Sequence, residues 1–356
     1  MKKFLFSFLC VFLVFSAYAQ KTKQNYVIGF YNLENLFDIY DDPATNDAEY
    51  LPDGKNKWTQ AKYETKQRNM AKVIAAMAKA NGRYHTILGV SEVENRLVLE
   101  DLVSQEAIAD ANYQIVHYDS PDRRGVDVAL LYKPEQFTLL DDEAIPFTFD
   151  TDEIDFSDTD TDYFRTRDIL MVHGLIDGEH FAFYVMHLPS RIGGKGGNLR
   201  SRGAQIAYEH ARGMEAKYPG IKIVMMGDMN DDPFDESMTK YLHGRETVAE
   251  METEDYYNPY LSMIKAGYGS LCYQGTWCIY DQELVNYNLA VAPQGGLKIQ
   301  PVTKHNKDMY DGVIFKRPFM TTQKGQYKGY PFRTFSNGSF VGGYSDHYPT
   351  FIVIGK

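Results

Sequence analysis

The chain has 356 residues, of which 44% are hydrophobic and 24% charged, and its formal net charge at pH 7 is −11. This negative charge argues against a broad electrostatic grip on duplex DNA, because such binding depends mainly on contacts to phosphates. It leaves room for a small site that handles one phosphate with a metal ion. The length fits either one large α/β domain or two domains.

The first residues have the layout of a cleavable secretory signal. Lys2 and Lys3 precede the apolar run 4–15, and small residues stand at Ala17 and Ala19. The run is shorter than the roughly 20 residues that a membrane span needs, and no later run of the sequence is long and apolar enough. We therefore expect a signal peptide at 1–19, a single domain at 20–356, and export to the periplasm or the cell exterior. The mature chain should be a monomer without an integral membrane span.

Short apolar runs recur along the sequence and predict strands. Several of these runs are apolar on both faces, so the strands should be buried on both sides. They cover residues 26–31, 86–90, 113–118, 126–132, 169–173, 181–186, 221–226 and 348–354.

Two segments predict helices. In the segment 60–79, four apolar residues from Met70 to Met77 have the i, i+3, i+4, i+7 spacing of one helical stripe. In the segment 198–218, Asn198 is expected to be the N-cap, and a Pro-Gly pair follows the predicted end. Many strands with few helices indicate an α/β chain of packed sheets with helices outside.

Two further segments leave alternatives open. Cys272 and Cys278 could pair in an oxidising compartment, or both could stay reduced. The segment 150–162 carries seven acidic residues and no basic one. A solvated acidic loop fits this segment better than a Ca²⁺ loop, since the glycine and the closing glutamate of the EF-hand pattern are missing.

The informative polar residues stand where apolar strands end. Asp228 and Asn230 follow the run 221–226, and if the chain stays extended both project from the same face. Glu92 ends another buried strand, where an unpaired carboxylate would be costly and a cation would offset the cost. Mg²⁺ takes one or two carboxylates and keeps several waters. Glu94 is the rival ligand.

Three further strand ends carry polar side chains in the same way. Asn32 and Glu34 follow the first strand, His187 follows the run 181–186, and Asp346 and His347 precede the last strand. Each motif is weak alone; a lone histidine of this kind is usually a satisfied core residue. Their shared placement at strand ends indicates one assembled site.

These motifs, in this order, resemble the endonuclease/exonuclease/phosphatase superfamily, which includes pancreatic-type deoxyribonucleases, inositol-polyphosphate phosphatases and sphingomyelinases. The resemblance extends from Asn25 to the C-terminus. Its most specific pieces are Tyr31-Asn32-Leu33-Glu34-Asn35, Ser91-Glu92-Val93, Gly227-Asp228-Met229-Asn230 and Ser345-Asp346-His347. It implies a four-layer α/β/β/α sandwich in which two packed, mostly antiparallel sheets are flanked by helices.

The resemblance also implies roles for the metal side of the site. Glu92 resembles the principal Mg²⁺ ligand, with Asn32 and Glu34 beside it, and Mn²⁺ or Ca²⁺ are the alternative ions. Asp228 and Asn230 resemble the pair that orients the attacking water and holds the scissile phosphate.

The histidines and their neighbours complete the implied site. His347 resembles the catalytic histidine, with Asp346 as its neighbour on the metal side, and His187 resembles the second histidine of the nuclease branch. Asp127 falls where some members place the carboxylate that steadies this second histidine. Arg191, four residues after His187, is a candidate for substrate binding.

Two assignments have competitors. Arg167 fits a structural or phosphate-binding arginine, and Arg165 competes with it. The family also needs an aspartate that orients the catalytic histidine. Asp281, which follows a Gly-Thr-Trp sequence, is favoured over Asp311, although the residues after Asp281 are unusually polar for a strand.

The implied function is hydrolysis of a phosphodiester by in-line attack of water. The two histidines and the glycine-rich basic segment 193–202 favour a nuclease with a nucleic-acid substrate. A phosphoesterase that acts on lipid headgroups or small phosphorylated molecules is the alternative, and a non-catalytic binding module on the same fold is the rival from another class. The aromatic stretch 330–344 could face a membrane or a sugar, or could consist of packed loop aromatics.

Overall fold

The computed structural model of the chain describes residues 24–149, 165–191, 196–302 and 310–356. The expected signal peptide, the acidic segment 150–162 and residues 193–195 of the basic segment lie outside these ranges and stay predictions. Among the described residues, no helix combines the length and the apolar character that a membrane span requires.

The described strands are β1 (Asn25–Leu36), β2 (Ile87–Val93), β3 (Gln114–His117), β4 (Asp127–Tyr132), β5 (Thr138–Ile145), β6 (Ile169–Ile176), β7 (Glu179–His187), β8 (Lys222–Asp228), β9 (Gly244–Arg245), β10 (Tyr256–Tyr257), β11 (Leu271–Tyr273), β12 (Thr276–Cys278), β13 (Asp281–Asn286), β14 (Lys298–Gln300), β15 (Gly312–Ile314), β16 (Phe335–Ser336), β17 (Ser339–Phe340) and β18 (Thr350–Gly355). The α-helices are α1 (Gln60–Asn81), α2 (Arg96–Val103), α3 (Gly197–Lys217), α4 (Tyr260–Lys265) and α5 (Tyr287–Ala290).

Each predicted strand and both predicted helices are present, but one helix start differs. Helix α3 begins at Gly197, and its N-cap is Gly196 in the left-handed conformation (φ +81°), so the prediction of Asn198 as the cap was wrong. Glycine adopts this conformation without the steric cost that a Cβ atom would bring. Helix α1 ends at a left-handed Gly82, whose N–H donates to the carbonyl of Ala78.

The strands form two seven-stranded sheets. The first has the order β14-β18-β1-β2-β4-β3, with β15 also paired to β18, and the second has the order β5-β6-β7-β8-β13-β10-β9. Neighbouring strands are antiparallel except in the pairs β1–β2, β7–β8 and β9–β10. The prediction of two mostly antiparallel sheets is therefore confirmed.

The alternation of side chains along the strands explains the layers. Tyr26, Ile28, Phe30, Phe181, Phe183 and Val185 belong to one buried cluster between the sheets. Val27, Tyr31 and Leu33 face the other way and pack with residues of α1. Ile223 and Met225 pack with residues of α3 on the far side of the second sheet. The result is the predicted α/β/β/α sandwich, with burial of apolar surface as its main stabilising term.

Two small hairpins lie outside the large sheets. In the hairpin β11–β12, Leu271 is opposite Cys278 and Cys272 is opposite Trp277. Because neighbouring residues of a strand point to opposite faces, the two cysteine side chains lie on opposite sides of the hairpin. Both thiols are free in the structure.

The inner faces of the sheets change from apolar to polar at one end of the sandwich. The alternation that buries Phe30 continues to Asn32, and the alternation that buries Val185 continues to His187. In the second sheet, Asp228 is paired with His187 on one side and with Asp281 on the other. The fold thus brings polar strand ends from both sheets to the same end of the space between them.

Candidate active site

Glu92 reaches the site through a local distortion of β2. The register of β2 against β4 shifts between Ser91 and Val93, and Glu92 itself is left-handed with φ +58°. Its Oε2 atom accepts a hydrogen bond from the N–H of Asn35 at 2.9 Å. Such bulges re-aim side chains and are common next to active sites. The strained backbone therefore holds this carboxylate in place.

Asn32 joins the carboxylates of the two sheets. Its Nδ2 donates to Glu92 Oε1 at 3.2 Å and to Asp228 Oδ2 at 3.0 Å, and its Oδ1 accepts from the N–H of Glu34 at 2.8 Å. The bond from Glu34 fixes which side of the amide faces the two acids. Asn32 was predicted as a metal ligand; in this structure its donor side bridges Glu92 and Asp228.

Asp228 and Asn230 stay together, although the chain does not stay extended as predicted. Asn230 is left-handed (φ +50°), and its N–H donates to Asp228 Oδ1 at 3.0 Å. This local turn is one that aspartate side chains favour. The Asn230 amide then donates to the carbonyl of Leu188 at 2.9 Å. Burial raises the pKa of Asp228 to about 7.

His347 is oriented by Asp281. The His347 Nδ1 atom lies 2.8 Å from Asp281 Oδ2, which also accepts from Ser270 Oγ at 2.5 Å. On the backbone side, the N–H of His347 donates to Ser345 Oγ at 3.0 Å. The competing Asp311 instead accepts from the hydroxyl of Tyr257 at 2.9 Å. Of the two aspartates, the structure places only Asp281 against the histidine.

The charge state of His347 follows from three carboxylates. Burial alone would lower its pKa, but Asp281, Asp228 and Asp346 together raise the pKa well above its usual value. The Nε2 atom of His347 lies 3.8 Å from Asp228 Oδ2 and 3.9 Å from Asp346 Oδ1. The three carboxylates therefore favour the imidazolium form of this histidine.

His187 approaches the same carboxylates from the second sheet but has a different environment. Its Nε2 atom lies 3.7 Å from Asp228 Oδ2 and 3.8 Å from Glu92 Oε1. Burial, followed by the positive charges of Arg167 and Arg124, lowers its pKa well below the usual value. Its Nδ1 atom is buried without a hydrogen-bond partner among the described residues. The surroundings of His187 thus favour the neutral imidazole.

Arg167 supports the His187 segment. Its guanidinium donates to the carbonyls of His187 and Leu188, both at 3.1 Å, and pairs with Asp122 at 3.0 Å. Only 7% of the residue is exposed. This burial agrees with the predicted structural role and not with the predicted phosphate-binding role. The competing Arg165 is exposed.

Two other predicted residues have partners that were not expected. Asp127, which was expected to steady His187, instead contacts His117 at 3.1 Å and accepts from Ser120. The reason is its position at the start of β4, next to the end of β3. Arg191, a predicted substrate-binding residue, pairs with Asp235 at 3.1 Å.

Glu34 belongs to a separate buried cluster beside the acids. Its carboxylate accepts from Arg333 Nε at 3.0 Å and from the N–H of Thr334 at 2.6 Å, and Lys66 Nζ lies 3.9 Å away. Burial raises the pKa of Glu34 to about 7 and lowers the pKa of Lys66 to about 8. Glu34 was predicted beside the metal; here it anchors Arg333, which in turn donates to Asp346 at 3.0 Å.

Arg333 and Lys66 were not found from the sequence. Neither carries a motif, and each acts through partners that are distant along the chain: Arg333 is 299 residues from Glu34. Glu94, the rival ligand to Glu92, faces another loop and accepts from the N–H of Asp38 at 2.7 Å.

Three groups of side chains among the described residues could hold a metal ion; one is His117–Asp119–Asp127, and the other two share Asp228. These two are Glu92–His187–Asp228 and Asp228–Asp281–His347, each with ligand atoms within 4.8 Å of one another. The second of the two contains His347, whose imidazolium form would repel a cation. The first pairs two carboxylates with an imidazole whose neutral form is favoured, and carboxylate oxygens are the ligands that Mg²⁺ and Mn²⁺ prefer. The donor set of the first group therefore fits a divalent cation.

The inner faces of the two packed sheets thus end in carboxylates and imidazoles at one shared site. The Endonuclease/Exonuclease/phosphatase family matches residues 27–356, and the chain belongs to this family. Members of its superfamily are phosphoester hydrolases. No curated protein matches the sequence.

Solved structures with the same fold share little sequence with this chain. An endonuclease/exonuclease/phosphatase family protein from Bacteroides thetaiotaomicron is 16% identical over 94% of this chain and 98% of its own, with a TM-score of 0.53. Truncated TDP2 from Caenorhabditis elegans is 14% identical over 93% and 98% (TM-score 0.52). TDP2 from D. rerio, complexed with single strand DNA product, is 11% identical over 93% and 99% (TM-score 0.52). At these identities the likeness concerns the fold alone.

Proposed function

We propose that this chain is an exported, Mg²⁺-dependent phosphodiesterase that hydrolyses nucleic acid by in-line attack of water. The observation that carries the proposal is the pair of histidines on either side of Asp228, next to the carboxylate of Glu92, whose surroundings shift their pKa values in opposite directions. Titratable groups whose environments push their pKa values apart are the usual mark of an acid–base site.

The residues divide the work as follows. Glu92 and Asp228 would hold the cation, and Asn32 fixes the two carboxylates relative to each other. A bound Mg²⁺ supplies charge neutralisation at the phosphoryl oxygens. The imidazolium of His347, whose Nδ1 is held by Asp281, donates a hydrogen bond from Nε2 to a phosphate oxygen and stabilises the charge that develops there.

The neutral His187 complements His347. With its low pKa, it can donate one N–H to the phosphate while it stays uncharged, or it can accept a proton from the attacking water. Arg167 holds the backbone of His187 and Leu188, and Leu188 accepts from Asn230. Asn230 is thereby tied to the His187 segment, at the place where it would orient a phosphate.

Nucleic acid is the proposed substrate, and export is proposed from the N-terminal sequence pattern. The two histidines and the basic segment 193–202 favour a nucleic acid, and the fold is that of D. rerio TDP2, which was crystallised with single strand DNA product. We further propose that the mature enzyme is a monomer.

A substrate panel tests the proposal. The mature chain with Mg²⁺ would be incubated with single-stranded DNA, plasmid DNA, RNA, sphingomyelin and inositol phosphates, each alongside His347→Ala. The expected result is cleavage of a nucleic acid that His347→Ala abolishes. Faster cleavage of sphingomyelin or an inositol phosphate would contradict nucleic acid as the substrate. Cleavage of none of the five compounds would contradict the proposed function as a whole.

A further inference from the structure

The residues that precede the Ser345-Asp346-His347 motif differ in charge from the rest of the chain. The segment 312–345 contains five basic residues and no aspartate or glutamate, in a chain whose net charge is −11. The five are Lys316, Arg317, Lys324, Lys328 and Arg333. A cationic surface therefore borders the acidic candidate active site.

This segment and the hairpin β11–β12 enclose a cavity of about 700 Å³. Arg333 and Asp346 form part of its wall, and Asp346 Oδ1 lies 3.9 Å from His347 Nε2. The cavity therefore borders the candidate active site, with Asp346 between the two. Its size is within the range of about 300–1,000 Å³ that is usual for sites of small organic ligands.

Three tyrosine rings line the cavity. Tyr273 is 67% and Tyr327 40% exposed, and both line the cavity together with Tyr330. The ring centroids of Tyr327 and Tyr330 are 5.8 Å apart, and the centroid of Trp277 is 6.0 Å from that of Tyr330. Exposed flat rings are stacking platforms for the bases of unpaired nucleotides.

The walls are held in place before any ligand binds. Tyr330 and Thr322 close the loop between them, because the N–H of Thr322 donates to the Tyr330 carbonyl at 2.8 Å. The hairpin β16–β17 turns through Asn337 and Gly338, both with positive φ, which matches the tight turn that favours Asn-Gly. A preformed site loses less conformational entropy on binding.

Two lysines of this loop are available to a phosphate backbone. Lys316 is already engaged, since its Nζ lies 4.6 Å from the ring centroid of Trp277 and donates to the Gly329 carbonyl at 3.1 Å. Lys324 and Lys328 are exposed, and neither ammonium has a hydrogen bond or an ion pair with the residues that the structure describes. Lysines of this kind can contact phosphates without reading the sequence.

We infer that the cavity is a subsite for unpaired bases of single-stranded nucleic acid, which stack on Tyr327 and Tyr330 while Lys324 and Lys328 contact the backbone. The inference rests on the proposed function, because the scissile phosphate of the same strand would lie at His347. A lipid surface fits less well: the accessible rings carry hydroxyl groups and line a concave wall, whereas membrane-binding faces present a continuous apolar surface.

Binding of short labelled oligonucleotides tests the inference. Fluorescence anisotropy would compare oligodeoxythymidine with an abasic strand of the same length, in the His347→Ala background with Mg²⁺ so that cleavage does not interfere. The expected result is at least tenfold weaker binding of the abasic strand, since stacking contributes about tenfold or more per base. Equal binding of the two strands would overturn the inference. This comparison needs no substitution in the cavity.

Variants then locate the binding site. Tyr327→Ala combined with Tyr330→Ala should weaken oligodeoxythymidine binding at least tenfold, whereas the Phe pair at the same positions should bind like the parent. Tyr287→Ala, at the far end of β13 from Asp281, is the matched control and should leave binding unchanged. Retained affinity in the Ala pair, or a loss in the Phe pair equal to that in the Ala pair, would count against base stacking.

The backbone contacts have their own readout. Lys324→Glu combined with Lys328→Glu should flatten the dependence of binding on salt concentration, because fewer counterions are released. Lys79→Glu, at the end of α1, is the control and should keep the slope of the parent. If the double lysine variant has the same salt dependence of binding as the Lys79→Glu control, the two lysines do not contact the nucleic-acid backbone.

The outcomes separate this inference from the proposed function. The wild type could hydrolyse bis(p-nitrophenyl) phosphate with Mg²⁺ while oligonucleotide binding is the same with and without Tyr327 and Tyr330. This result would overturn the cavity subsite alone. Tyrosine-dependent binding without any hydrolysis would support the subsite and overturn the catalytic proposal. Binding to sphingomyelin-containing vesicles that the Ala pair abolishes, with unchanged oligonucleotide affinity, would overturn the subsite in favour of a lipid surface.

Discussion

His347 and His187 make almost the same approach to Asp228, and yet their pKa values are shifted in opposite directions. Their Nε2 atoms lie 3.8 and 3.7 Å from Asp228 Oδ2. The difference arises on the other side of each ring. His347 has Asp281 at 2.8 Å from its Nδ1, whereas the Nδ1 of His187 has no partner among the described residues and its neighbours include Arg167.

The comparison shows that a shared carboxylate does not decide the protonation of an imidazole. The second contact of each ring does, because an adjacent anion favours the charged form and burial beside cations favours the neutral form. One site therefore favours a charged imidazolium at one ring and an uncharged imidazole at the other. Substitution of each histidine and of its partner tests which of the two rings carries the charge.

The largest expected effect is that of His347→Ala. Loss of the charged imidazole should lower kcat/KM for a phosphodiester by about a thousandfold, within the range typical of a positioned acid–base group. Steady-state kinetics of bis(p-nitrophenyl) phosphate hydrolysis would measure it. A loss of less than tenfold would show that the imidazolium takes no part in the chemistry.

Asp281→Asn should cost about a hundredfold, because the amide keeps the shape but no longer favours the charged form of His347. The matched control is Asp311→Asn, which alters the aspartate that accepts from Tyr257 and should leave the rate unchanged. NMR titration of the His347 ring should show a lowered pKa in Asp281→Asn only. Equal rates for the two variants would contradict the orienting role of Asp281.

His187→Ala should have a smaller effect, about tenfold to hundredfold, which corresponds to the loss of one buried hydrogen bond. The pKa of His187 lies well below its usual value, so the ring is neutral from mildly acidic to basic pH. The ratio of wild-type to variant kcat/KM should then stay constant between about pH 6 and 8. A ratio that rises as the pH falls through this range would mean that a charged His187 is the active form.

The smallest expected effect is a change in stability. It concerns a buried carboxyl that has no cation as a partner. Glu283, two residues from Asp281, has hydroxyl partners instead of a cation: it accepts from Thr350 at 2.9 Å and from Tyr260. Burial raises its pKa from 4.5 to about 8. Between these values the folded chain keeps the proton and the unfolded chain does not, so stability falls as the pH rises.

Glu283→Gln removes the carboxyl whose proton binding differs between the folded and the unfolded chain. The melting temperature of the variant should exceed that of the wild type by a few degrees at pH 8, and the difference should shrink toward pH 5. Thermal unfolding of the two proteins in parallel at both values would measure the change. A difference that does not depend on pH would show that the carboxyl is already ionised in the folded chain.

Much of the fold follows from local patterns, and the exceptions have a physical cause. Apolar runs predict the buried strands because alternation and burial are encoded in neighbouring residues. Strand β13 does not stand out among the apolar runs, and only the family resemblance indicated it, because it contains Asp281, Gln282, Glu283 and Asn286. These polar side chains are satisfied by distant partners; Gln282, for example, accepts from Asn258. Its core position cannot be read from its own composition.

The site divides in the same way. Strand ends and their order led to Asn32, Glu92, His187, Asp228 and His347, which the fold brings together. The direction of Glu34 depends on Arg333, and the partner of Asp127 depends on His117 across a neighbouring strand. Such tertiary contacts leave no local signal, so motifs locate the centre of the site better than its supports.

The most direct test of the account is the metal dependence of hydrolysis at Glu92. The rate of bis(p-nitrophenyl) phosphate hydrolysis would be measured after EDTA treatment and during Mg²⁺ titration, for the wild type and for Glu92→Gln. EDTA should abolish the rate, Mg²⁺ should restore it, and Glu92→Gln should need at least tenfold more Mg²⁺ for half-maximal rate. Full activity in EDTA, or the same Mg²⁺ requirement in both proteins, would contradict this metal dependence.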